Sequence, residues 1–238
     1  MPTSHATTDR VVLAASNTTE QSILARFLDF AESLRNNLLA DPSDYPTAAI
    51  SRIRGTGPGV SFGRLVDELE VTHPITMNRP FEGTASIAGG VWDTPNTAGQ
   101  DDTRGLVKLH FDAGTNTLPM HSHEHSDRVI FVLEGRGFFH VSDQALDEFD
   151  GTDIRSVPVR SRDALVFSRG VVHTFSCPDE PLVLLSYHHP FFPLDDPRQY
   201  TVPSCRITPA EFSHTPGHVS CDPAWNVLVG GPTHLSRD

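Results

Sequence analysis

The chain has a single lysine, Lys108, and its other basic residues are arginines scattered along 238 positions. Against 30 acidic residues, the 18 basic ones leave a formal net charge of −12. Phosphate-rich partners are held by basic patches, so this balance excludes broad electrostatic binding of nucleic acid or of an anionic membrane. Long apolar runs are missing too. No segment approaches the roughly 18 consecutive apolar residues of a membrane span. The short stretch Val11-Val12-Leu13-Ala14-Ala15, preceded by Asp9, makes a poor secretion signal. Cysteine is scarce, and Cys177, Cys205 and Cys221 are odd in number and lack metal-type spacing. That excludes a disulfide scaffold and makes a reducing, cytoplasmic setting the expectation.

What is present describes a soluble globular protein. Hydrophobic residues make up 37% and charged residues 20% of the chain. The length suits one large domain with extensions. Residues 18–39 form the one clear amphipathic helix: Thr18 with Gln21 makes a capping-box start. Ile23, Leu24, Phe27, Leu28, Ala31, Leu34 and Leu38 then fall on one stripe, and Asp41-Pro42 ends the helix. A shorter helix is predicted over 61–70, and Arg54–Gly59 reads as a flexible loop. From about 82 to 190 the texture changes to short β-like runs broken by turn residues. These are Thr84–Trp92, Leu106–Phe111, Thr117–His123, Val129–Leu133, Gly137–Val141, Asp153–Val159, Ala164–Phe167, Val172–Phe175 and Leu182–His188. Short strands without intervening helices indicate an antiparallel sandwich or barrel. Glu134-Gly135-Arg136-Gly137 reads as a tight turn between two of them, and Thr208-Pro209-Ala210-Glu211 as a capped short helix start. The expected organisation is an N-terminal extension over 1–81, a β domain over 82–192, and a C-terminal extension over 193–238.

The chemistry concentrates on histidine. His121 and His123 are separated by one residue, which on a strand puts both side chains on the same face. His173, in another apolar β-like run, completes a facial set of three imidazoles around one metal ion.

In this order the residues closely resemble the cupin superfamily, whose first motif is G-x5-H-x-H-x3,4-E-x6-G and whose second is G-x5-P-x-G-x2-H-x3-N. The first motif runs here from Gly114 through His121, His123 and Gly135, and the second through Gly170 and His173. The resemblance covers roughly residues 82–192. It implies an all-β fold, an antiparallel double-stranded β-helix (the jelly-roll barrel), carrying a helical extension before it and a tail after it. It also implies that His121, His123 and His173 ligate a divalent ion, with Fe(II) the first choice and Zn, Ni or Mn as others. Ser168 stands for the motif proline and Cys177 for its asparagine. The consequential departure is at the motif glutamate, whose place falls on Asp127 by one count and on Arg128 by the other. Asp127 would add a carboxylate ligand. Arg128, if it faces inward, puts a guanidinium beside the metal cavity and calls for an anion between them; a one-residue slip would turn it to solvent.

His125 reads as a solvated loop residue. Of His188 and His189, one must face the interior if the strand runs through them, where it would contact substrate or handle a proton. These residues point to a metal-dependent enzyme acting on a small, anionic organic molecule, foremost a three-histidine Fe(II) dioxygenase. The alternatives are a non-redox isomerase or lyase and a non-catalytic small-ligand binder. A carboxylate is the expected partner molecule, and a homodimer pairing through sheet edges is the expected assembly.

Overall fold

A computed structural model describes residues 18–39, 50–54, 87–92, 104–192, 196–212 and 227–229. The elements run, in chain order, α1 (Thr18–Leu38), β1 (Ile50–Arg54), β2 (Ile87–Trp92), β3 (Gly105–Phe111), β4 (Asp127–Ser142), β5 (Arg155–Arg160), β6 (Asp163–Phe167), β7 (Val172–Ser176), β8 (Leu182–His189), α2 (Pro209–Phe212) and β9 (Val227–Val229). The strands join in the order β2-β3-β8-β4-β6-β1-β9, with β5 and β7 added alongside β4. Every pairing is antiparallel except the parallel one between β1 and β9. This is a jelly roll whose sheet, among the described residues, does not close on itself. No described helix is long and apolar enough to cross a membrane.

Strand β4 organises the whole. Its first half pairs with β6 and β8 and its second half with β5 and β7, so one strand of 16 residues serves both layers. The change of partners between the halves falls at the segment expected to be a turn. The structure corrects that expectation: the chain runs straight on through Glu134-Gly135-Arg136-Gly137, with a bulge between Val132 and Glu134. Gly135 makes the transfer possible. Its φ is +76°, and a Cβ there would sit 1.8 Å from the Pro181 carbonyl oxygen, so only glycine fits.

Strict alternation gives the first layer two apolar faces. Val129, Phe131, Leu133, Ala164, Val166, Leu185 and Tyr187 pack with Ile23, Leu24, Phe27, Leu28, Ala31 and Leu34 of α1. Phe27 meets Phe131 edge-on with ring centroids 5.1 Å apart. Ile130, Val132, Leu165, Phe167 and Leu184 face the interior with Phe139, Phe175 and Val141 of the second layer. Burial of each large apolar side chain contributes about 1.5–3 kcal/mol. The helix stripe read from the sequence is therefore the roof of the sheet; the side chain of Leu38 lies outside the described residues.

The tail also belongs to the body. Thr208 N and Oγ1 both donate to Glu211 Oε2, at 2.6 and 2.8 Å, so the predicted capped helix start is present as α2. Phe212 closes over His140, whose ring bridges Ser156 and Ser176 at 2.7 Å each. Strands β1 and β9 were not anticipated in the sequence reading; they extend the sheet beyond the 82–192 region. The predicted 61–70 helix and residues 55–59 of the predicted 54–59 loop lie outside the described residues, while Arg54 is the last residue of β1 and not part of a loop.

Candidate metal centre

The segment carrying His121 and His123 is not a continuous strand, contrary to the sequence expectation for Thr117–His123. Pro119 has no N–H to give, and the segment pairs through isolated bridges, His121 with His173 and Ser122 with Thr201. It is clamped from both sides. His121 and His173 exchange backbone hydrogen bonds of 2.9 and 2.8 Å, Met120 N donates to Ile207 O, and Ser122 and Thr201 exchange two bonds of 2.8 Å. Gly170 N donates to His123 O at 3.1 Å, tying the start of the β7 segment to the same pair.

One ring nitrogen from each of His121, His123 and His173 lies within 4.8 Å of the others. Their ring centroids are 4.6–5.2 Å apart. In each ring Nδ1 meets a backbone carbonyl: Pro119 O at 2.9 Å for His121, Gln199 O for His123, and Val171 O at 3.0 Å for His173. A carbonyl only accepts, so each Nδ1 carries the proton and each Nε2 keeps its lone pair. Burial drives all three toward the neutral form: His121 falls to about 4, and His123 and His173 fall well below the ordinary histidine value, reinforced by the nearby Arg128 charge. Three neutral imidazoles with oriented lone pairs fit a divalent ion.

The structure separates Asp127 from Arg128. Asp127, expected as a possible fourth ligand, faces α1. Its carboxylate accepts from Arg35 Nε at 2.9 Å, Arg169 N at 3.0 Å, Arg169 Nε at 3.2 Å and Arg169 Nη2 at 3.3 Å. It stands outside the three-histidine group. Burial raises its pKa, but the Arg169 hydrogen bonds and charge, with Arg35, outweigh that and leave it lowered. Arg128, one residue on, faces the cavity and is 1% exposed. Its Nη1 donates to Ser126 Oγ and, at 3.3 Å, to Asp127 O; Nη2 reaches Gln199 Oε1 at 3.5 Å. Its Nε has no partner among the described residues. Burial lowers its pKa to about 9, partly opposed by Asp127, so it stays cationic at neutral pH.

Alternation sorts the other pair as well. His188 is buried and lines the cavity; His189 points to the α1 side and lies parallel to Tyr187 at 6.4 Å. His125 is exposed. The cavity has about 560 Å³ including the solvent at its mouth. Val107, Leu109, Phe111, Leu118, Ile130 and Phe175 supply its apolar wall, with Ser186, Gln199 and Tyr200 beside the charged and imidazole groups. Gln199 and Tyr200 were missed in the sequence. They come from the tail, beyond the resemblance, and nothing in their local pattern marks them.

An antiparallel jelly roll brings three histidines to one point. Residues 107–188 match the family model described as Cupin domain, and the chain carries a cupin domain there. No curated protein matches the chain in sequence. Among solved structures, a salicylate 1,2-dioxygenase mutant from Pseudoaminobacter salicylatoxidans in complex with gentisate is 19% identical, with TM-score 0.32 over 42% of this chain and 24% of that one. The chain thus spans about a quarter of that dioxygenase. A cupin-2 domain protein from Rhodospirillum rubrum is 18% identical, with TM-score 0.40 over 59% of this chain and 78% of that one. A predicted oxalate decarboxylase from Thermotoga maritima is 16% identical, with TM-score 0.39 over 50% and 95%. Likenesses this distant say nothing about substrate.

Proposed function

We propose that this protein is a metal-dependent enzyme acting on a small organic anion, a carboxylate foremost, in a dioxygenase-type oxidation. The observation that carries the reading is Arg128: a buried cation beside three neutral imidazoles, held, among the described residues, only by neutral acceptors and with Nε unpartnered there. A buried charge short of partners costs several kcal/mol, which an anion in the cavity offsets. His121, His123 and His173 would hold the ion, and Fe(II) would supply redox chemistry there. Arg128 binds and orients the carboxylate; His188, its cross-strand partner on β8, contacts the substrate from the same wall; and the apolar wall excludes water. The chain pairs as a homodimer in this reading, which light scattering of the purified protein checks.

The test is metal analysis of purified protein followed by oxygen-electrode traces with a panel of small carboxylic acids. Bound iron and acid-dependent O₂ uptake are expected. Turnover without O₂ uptake would replace oxidation by Lewis-acid isomerase or lyase chemistry. A folded protein that takes up no divalent metal would sink both.

A further inference from the structure

Gln199 lies beyond the cupin segment, is 3% exposed, and stands between two groups of the cavity wall. Its Oε1 is 3.5 Å from Arg128 Nη2, and its Nε2 is 3.4 Å from His188 Nδ1. Both contacts are long, but their polarity is forced. A guanidinium carries only donors, so the amide turns its oxygen to Arg128. The amide NH₂ is then the group that faces His188, and it only donates. His188 Nδ1 must accept, and a neutral His188 therefore carries its proton on Nε2. The three histidines of the metal centre show the opposite arrangement, because a carbonyl fixes the proton of each on Nδ1. One residue acts in both senses: the Gln199 backbone oxygen orients His123, and its side chain orients His188.

We propose that Gln199 is a positioning residue that divides the cavity's histidines into two kinds, three that present a lone pair to a metal and one, His188, that presents an N–H to the substrate. His188 is then no fourth ligand, since its Nε2 has no lone pair to give. With Arg128 Nε–H it makes a two-donor subsite for a ligand with acceptor oxygens, of which a carboxylate is the chemical class. The subsite's role in turnover rests on the proposed function above, whereas the tautomer assignment does not.

The experiment is long-range ¹H–¹⁵N correlation NMR of the histidine rings in the full chain supplied with zinc, for the wild type and Gln199→Glu. The wild type is expected to show His188 protonated at Nε2 and His121, His123 and His173 protonated at Nδ1. In Gln199→Glu the new carboxylate only accepts, so the His188 proton moves to Nδ1. Its charge also engages Arg128, and benzoate affinity by calorimetry falls at least about tenfold. A wild-type His188 protonated at Nδ1 overturns the proposal without any variant having to fold. An unchanged His188 tautomer in a folded Gln199→Glu protein overturns it as well. Expected tautomers in a protein that turns over no acid uphold the positioning role and count against the enzyme reading; an active enzyme with His188 protonated at Nδ1 does the reverse.

Discussion

Asp127 and Arg128 are neighbours on β4, both charged and both almost wholly out of water, yet they face opposite layers. On the α1 side, Asp127 accepts four hydrogen bonds from two arginines, so the charge is compensated where it stands. On the cavity side, Arg128 finds only neutral acceptors and leaves one N–H without a partner among the described residues. Burial therefore does not distinguish architecture from site in this molecule; satisfaction does. The compensated charge fastens the helix and the His173 loop to the sheet. In the proposed reading, the uncompensated one is what an incoming anion would satisfy.

The largest effect tests the cavity face. His173→Ala is expected to abolish metal binding by equilibrium dialysis and activity with it, a loss beyond the roughly 10–100-fold typical of removing a mere supporting partner. Retained metal would mean that the three lone pairs do not share one ion. On the other face, Asp127→Ala strands Arg35 and Arg169 around an empty position. Breaking a buried ion pair typically costs roughly 3–5 kcal/mol, and because Arg169 reaches solvent the lower end, about 3 kcal/mol, is expected in urea unfolding. Metal content should survive in the folded fraction.

Acid should separate the histidines from Asp127 by pH window. The cavity histidines, with His140 and with His189 on the α1 side, are held below their unfolded value near 6.5, with His121 at about 4. Between those limits the unfolded chain binds more protons, so stability falls as pH drops from about 6.5 to about 4. Each such histidine contributes up to about 1.4 kcal/mol per pH unit. Asp127, also lowered, keeps its contribution until the pH falls below the unfolded carboxylate value near 3.8. Melting curves of chelator-treated protein should show the first loss unchanged and the second one missing in Asp127→Asn. An Asp127→Asn protein that removes the first loss instead would overturn the assignment of the two windows.

Much of this was legible in the residues themselves. The i, i+2 spacing of His121 and His123, with His173 in the second half-motif, marked the metal group, and the helical stripe from Ile23 to Leu34 marked the roof. The choice between Asp127 and Arg128 was not legible, because it depends on where β4 starts to pair, and a slip of one residue exchanges its faces. The continuity of β4 was hidden by Gly135, which reads as a turn until the second layer is there to receive the strand. Gln199 carried no signal at all: its place in the cavity is set by pairing of Thr201 with Ser122, a contact between segments far apart in sequence.

Removal of the uncompensated charge should be nearly silent in stability and loud in binding. Arg128→Ala is expected to leave urea unfolding unchanged or slightly improved, since a buried, poorly partnered cation is lost. Metal content stays the same. The KM for a carboxylate substrate rises by about tenfold to a hundredfold, the worth of roughly 1.5–3 kcal/mol in hydrogen bonds to a charged group. An Arg128→Ala enzyme with unaltered KM would mean that the cation serves the fold, and the contrast with Asp127 would fall.

The smallest effect asks how far the helix helps to place the strand. Arg35 donates to Asp127 across the roof, but its side chain is 15% exposed and Arg169 already covers the carboxylate. Arg35→Gln should therefore cost no more than about 1 kcal/mol, as partly solvated ion pairs do. The cost should vanish in the Asp127→Ala background, because the interaction it removes is then already gone. KM should not move, since Arg35 touches only the compensated side of β4. A shift in KM without a matching loss of stability would show that α1 tunes the register of Arg128, and the two faces would no longer be independent.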